Sequence, residues 1–138
     1  MSAQALINED YAELQNFHEA MIRMMILLYQ VDGKVTLTEL EFFDKTINDF
    51  NWQSGISLAA FVNQVIYEVR QAIDAAHESH YLKSLGSALN YDSGKAFDVA
   101  LKLTAVDGRR GDQEKELLAL LSNKILAKGL IDGLPGIN

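Results

Sequence analysis

The chain has 138 residues, of which 49% are apolar, with a formal net charge of −7 and no cysteine. That length and apolar content describe one globular domain with a buried core, not a disordered chain. The missing thiols exclude disulfides, thiol catalysis and thiolate zinc sites, and the acidic balance argues against nucleic acid as a partner, because phosphate binding needs a basic patch.

Met1 to Asp10 lacks the basic start and apolar core of a signal peptide. The most apolar stretch, Met24 to Tyr29, falls far short of the about 20 residues that a membrane span needs. The expected location is the cytoplasm, with no direct membrane insertion. The only proline is Pro135, and no stretch alternates apolar and polar residues between turn signals, so the chain reads as all-α.

A first helix is expected from near Asn8, a good N-cap followed by Glu9 and Asp10. Tyr11, Leu14, Phe17, Met21, Met25 and Leu28 recur every three or four positions. Ile22, Met24, Ile26 and Leu27 make its second half apolar nearly all round, which predicts a central helix buried on most sides. Met21, Met24 and Met25 read as core, and His18 as partly buried or at an edge.

Gly33 ends this helix at a left-handed position. A second helix starts near Thr36 and carries Leu40, Phe43, Ile47 and Phe50. After a turn over Asn51 to Gly55, Ser57 caps a third, with Leu58, Phe61, Val62, Val65, Ile66, Val69 and Ile73 as its apolar stripe. His77 and His80 share a spacing that metal-binding histidines use, but read better as a polar helix end.

Ser79 is the expected cap of a shorter helix with Leu82, Leu85 and Leu89. Asp92 or Ser93 opens the next, which runs into Val106-Asp107-Gly108. The last long helix begins near Asp112, carries Leu117, Leu118, Leu121, Ile125 and Leu126, and stops at Gly129. Residues 129–138 form an irregular tail. The expectation is a single domain over 1–138, a compact bundle of about six to seven helices.

Two segments repeat. Val31-Asp32-Gly33, with Glu39 and Glu41 beyond, matches Val106-Asp107-Gly108, with Glu114 and Glu116 beyond, at a shift of 75 positions. The apolar pattern around them matches too, as in Leu28 with Leu103 and Phe43 with Leu118. A helix–loop–helix unit is therefore used twice, over about 8–52 and about 92–128. Packing about a pseudo-two-fold axis would bring the loops into equivalent positions.

Asp-Gly with a later Glu is the second half of an EF-hand loop. The first half is missing, because Leu28 and Gln30, or Leu103 and Ala105, stand where acids should. A tight calcium loop is not expected. A weak divalent site (calcium or magnesium) would need Asp32, Glu39, Asp107 and Glu114 together.

Capping competes with this reading. Thr36-Leu37-Thr38-Glu39 has the form of a capping box, and Asp32 can make an Asx-turn. In the second copy Gly111 replaces Thr36, so the reciprocal box cannot form. Asp32 and Asp107 also follow helix C-termini, where negative charge is unfavourable by roughly 0.3–1 kcal/mol. A partner must compensate: a backbone turn, a basic neighbour such as Lys34, Arg109 or Arg110, a cation or another protein.

At these residues the chain resembles the TerB-like family, which includes the tellurite-resistance TerB domain and the N-terminal domain of DjlA-type co-chaperones. Asp32, Gly33, Val35, Thr36 and Glu39 match its element residue for residue. Asp107, Gly108 and Glu114 match in the second copy, where Arg110 and Gly111 depart. The resemblance covers about Asn8 to Lys128. It implies a compact all-helical fold and a non-enzymatic stress-response module with protein partners near the inner face of the membrane. It also implies acidic residues proposed as metal ligands.

No nucleophile motif, phosphate loop or His-Glu-x-x-His is present. The expected function is a binding or scaffold module acting through Asp32, Glu39, Asp107 and Glu114. Gly33 and Gly108 would shape the turns and Thr36 would cap a helix. The alternatives are a small metal-dependent enzyme using the same four carboxylates and a structural oligomerisation domain.

Overall fold

The computed structural model describes residues 3–108 and 110–126, with side chains from Tyr11 onward. Arg109, the Gly129 stop and the tail 129–138 lie outside the described residues. Within them the chain is all-helical and contains no strand, so the expected all-α bundle is what forms.

The first helix, α1 (Ala3–Gln30), starts at Ala3 and not near Asn8. Ala3, Gln4, Ala5 and Leu6 are good helix formers, and nothing among them stops the helix before the expected cap. From Phe17 to Tyr29 almost every apolar side chain of α1 is buried, including Met21, Met24 and Met25. His18 is buried as well, beyond the partial burial expected of it; its ring stacks on Phe50 with centroids 4.2 Å apart. Among the described residues its Nδ1 has no hydrogen-bond partner.

Helix α2 (Leu37–Asn48) follows an extended Thr36 and buries Glu39, Phe43 and Ile47, one face at a spacing of four. Helix α3 (Leu58–Asp74) is capped as expected by the Ser57 hydroxyl, which accepts from the Ala60 N–H at 3.1 Å. It buries Phe61, Val65 and Val69.

At the end of α3 the His77 N–H bonds Ala72 O at 2.8 Å and the Ala76 N–H bonds Ile73 O at 3.0 Å. These are the paired bonds of a Schellman turn. Ala76 occupies its left-handed position at φ +58. That turn sets the start of α4 (Glu78–Ser84) with His77 at the N-cap position. Ser79 therefore lies inside the helix and is not its cap.

A single turn, α5 (Gly86–Leu89), and a 3-10 turn lead to α6 (Ser93–Ala105). Asp92 caps α6 by accepting from the Lys95 N–H at 3.1 Å. Helix α7 (Asp112–Leu120) begins where expected and widens into a π-helical segment over Leu121–Ile125, closed by the Leu126 N–H on Leu121 O at 2.8 Å.

Helix α1 is the axis of the bundle, with α2, α3, α5 and α6 packed on it. Helix α2 also packs on α6, while α7 packs on α6 and α4. The two helices that lead into the repeated loops, α1 and α6, are thus direct neighbours. Each fully buried leucine on these two helices, such as Leu28 on α1 or Leu103 on α6, contributes about 1.5–3 kcal/mol through burial. Among the described residues no helix is long and apolar enough to cross a membrane.

Candidate functional site

The two repeated loops, residues 31–36 and 106–111, are built alike. Gly33 has φ +75 and Gly108 φ +84, a region that suits glycine because no Cβ clashes there. The Gly33 N–H bonds Gln30 O at 3.0 Å, and the Gly108 N–H bonds Ala105 O at the same distance. Asp32 makes the expected Asx-turn, its Oδ1 accepting from the Lys34 N–H at 3.0 Å.

Both glutamates are buried: Glu39 is 2% exposed and Glu114 3%. Among the described residues they are the buried carboxylates. Glu39 Oε1 accepts from the Thr36 N–H at 2.9 Å and the Thr36 hydroxyl at 3.0 Å, and Thr36 Oγ1 accepts from the Glu39 N–H at 3.2 Å. The capping box is complete. In the second copy Glu114 Oε1 accepts from the Gly111 N–H at 2.9 Å. The glutamate half of the box therefore survives without a hydroxyl at Gly111. Capping accounts for the second copy better than the sequence suggested.

The loops meet. A methyl group built on Gly111 would lie 3.7 Å from both Cβ and Oδ2 of Asp32, and 3.5 Å from Glu114 Oε1. Asp32 of the first loop thus reaches the N-terminus of α7. Burial, above all, raises the Glu39 carboxyl above its ordinary range; the charges of Asp107 and Asp32 raise it further, against the Thr36 hydrogen bonds that lower it. Burial likewise raises Glu114, opposed by the Gly111 N–H and reinforced by Asp32, Glu39 and Asp107. Each glutamate feels the acids of the other copy.

One basic neighbour among the described residues points away from this cluster. Arg110 turns away, with Nε donating to Thr104 Oγ1 at 2.8 Å and a terminal nitrogen to Leu101 O at 2.8 Å. Calcium takes about six to eight oxygens at short range. Among the described residues no group of three or more histidine, aspartate or glutamate side chains stands close enough to hold a metal ion. Each glutamate commits Oε1 to its cap. The four carboxylates share a field without forming a ready coordination shell.

Two hollows among the described residues lie elsewhere. One of about 580 Å³ runs between α1 and the α4–α5 segment, lined by Glu13, Glu19, Asn90 and Tyr91 among others. A neighbour of about 560 Å³ is lined by Arg23, Glu68, His77, His80 and Tyr81. At this second hollow sits a polar network that the sequence did not disclose. Arg23 Nε donates to Glu68 Oε2 at 3.0 Å, the Tyr81 hydroxyl donates to the same oxygen, and the guanidinium lies over the Phe61 ring. Burial and Glu68 push the Tyr81 phenol far up. Its members come from three helices, so no local spacing marks them.

Comparison with family models, with curated proteins and with solved structures finds no match for the chain.

Proposed function

We propose that the chain is a TerB-like, non-enzymatic binding module of a stress response. Its paired acidic loops form the surface on which a protein partner docks. The observation that carries this reading is the convergence of Asp32, Glu39, Asp107 and Glu114 from two copies of one element, with both glutamates buried. A glutamine at either cap would make the same backbone bond without the charge. Desolvation and mutual repulsion make the carboxylates unfavourable here, and perturbed groups that converge in this way mark candidate functional sites. A positively charged partner, by compensating the field, would turn that unfavourable arrangement into binding free energy. A divalent cation fits this reading only if the four carboxylates close on it from the positions they hold.

The test is the pair Asp32→Asn and Asp107→Asn. Thermal melting of this double variant should stay within about 3 °C of the parent chain, while capture of a partner from the native host is lost. A large fall in melting temperature with capture retained would return both aspartates to a purely structural role. Melting with millimolar calcium, magnesium, manganese or zinc separates the cation from the protein partner, because a ligand that binds only the folded state raises the melting temperature.

A further inference from the structure

The two loops differ in one respect that their acids do not explain. Val35, Leu37 and Leu40 of the first copy stand where the second has Arg110, Asp112 and Lys115. All three apolar side chains face water, Val35 at 43%, Leu37 at 71% and Leu40 at 37% exposure. Leu37 is the most exposed large apolar side chain among the described residues. Thr36 between Val35 and Leu37 is extended, and Leu40 follows Leu37 by about one helical turn on α2. Behind Val35 is a cup of about 220 Å³ lined by Gly33, Val35, Arg70, Ile73 and Asp74.

Acids outnumber bases around this ridge, with Asp32, Glu41, Asp44 and Asp74 against Lys34, Lys45 and Arg70. Glu41 lies one turn after Leu37 and Asp44 one turn after Leu40, both exposed, and Asp32 with the loop cluster lies before it. Charge decides among the occupants. A second copy of a chain with net charge −7 would set acid against acid, and so would an anionic lipid surface. A partner helix with lysine or arginine beside apolar side chains would satisfy the ridge, the cup and the acids together.

We propose that Val35, Leu37 and Leu40, with the acids around them, form the seat of a basic amphipathic helix of a partner protein. The inference rests on the acidic-surface reading above and names its partner class. The seat belongs to the first copy alone, because the second carries charged side chains at the corresponding positions.

The experiment uses the full chain, labelled with nitrogen-15, titrated with a synthetic amphipathic helical peptide of about 18 residues. The peptide carries leucine on one face and lysine on its flanks; a control has glutamate in place of lysine. The lysine peptide should bind and shift amides over residues 31–44, and the glutamate control should not bind. Leu37→Ser with Leu40→Ser should weaken binding at least about tenfold with the circular dichroism unchanged. Val35→Thr should weaken it less.

An affinity within about twofold of the parent after the leucine changes overturns the proposal, as do shifts centred on the α1–α5 hollow. If the leucine changes are silent while Asp32→Asn with Asp107→Asn weakens the peptide, the acidic-surface reading survives and this inference fails. If the leucine changes abolish self-association of the chain in sedimentation, the occupant is a second copy and the proposal is wrong.

Discussion

In the first loop Val35 leaves its side chain at the surface; at the corresponding place in the second, Arg110 bends back and binds the C-terminal end of α6 through Thr104 and Leu101. A cation there suits the negative end of the helix. The first loop caps α2 with a complete box, and the second caps α7 with the glutamate alone. The two copies share what determines the turn: a glycine at positive φ, an aspartate beside it and a buried glutamate three residues into the next helix. They differ in what faces solvent. A duplicated element can keep its internal hydrogen bonds and still divide the outer surface, one copy fastened to its own helix and the other left facing solvent.

The strongest challenge to this equivalence lies in the core. Leu28 and Leu103 occupy matching positions and both are buried. Leu28→Ala and Leu103→Ala should each destabilise the fold by about 3 kcal/mol, measured by urea unfolding. A difference above about 2 kcal/mol would show that the copies do not carry the core equally.

A smaller effect sharpens the contrast between the caps. Thr36→Ala should lose about 1 kcal/mol. Gly111→Thr should gain about 0.5 kcal/mol, since Gly111 is already extended at φ −72, ψ 164 and the added methyl meets only ordinary contacts. A loss at Gly111→Thr would mean that Asp32 presses on the second loop too closely to admit a side chain.

The smallest effect is in pH. Glu39 and Glu114 have raised carboxyls, so between the ordinary value of 4.5 and the raised values the folded chain holds more protons than the unfolded one. Their contribution is most favourable at low pH and is lost as pH rises through that window. Glu39→Gln and Glu114→Gln should flatten this slope and leave the neutral-pH melting temperature unchanged or up by about 3 °C. His18 works in the opposite direction. Burial, then Lys95, lowers its imidazole from 6.5, so its contribution is present at neutral pH and is lost as pH falls below that value. His18→Leu should therefore remove part of the acid sensitivity. Melting curves from pH 4 to 8 read both.

Much of this was legible because it is local. Thr36, Ser57 and Asp92 cap helices that their neighbours announce, and Gly33 and Gly108 mark turns that no other residue favours as well. The apolar run from Phe17 to Tyr29 declared the central helix. What the sequence hid depends on distance along the chain or on competition between neighbours. Arg23 meets Glu68 across 45 positions, with no shared motif. Ser79 looked like a cap, but the turn at Ala76 had already set the helix start. Glu114 looked uncapped because its threonine was missing, although the glutamate half of the box needs only a backbone N–H. The approach of Asp32 to Gly111 was legible only as a consequence of duplication.

Ala76 carries a consequence of its own. Among the described residues it is the only non-glycine at positive φ, a conformation that disfavours an L-residue by roughly 1–2 kcal/mol. It lies in the spacer between the copies, in neither loop. This backbone strain therefore sits at the turn between α3 and α4, where the first half of the fold hands over to the second. Relaxing it would tighten the molecule while leaving both acidic loops untouched.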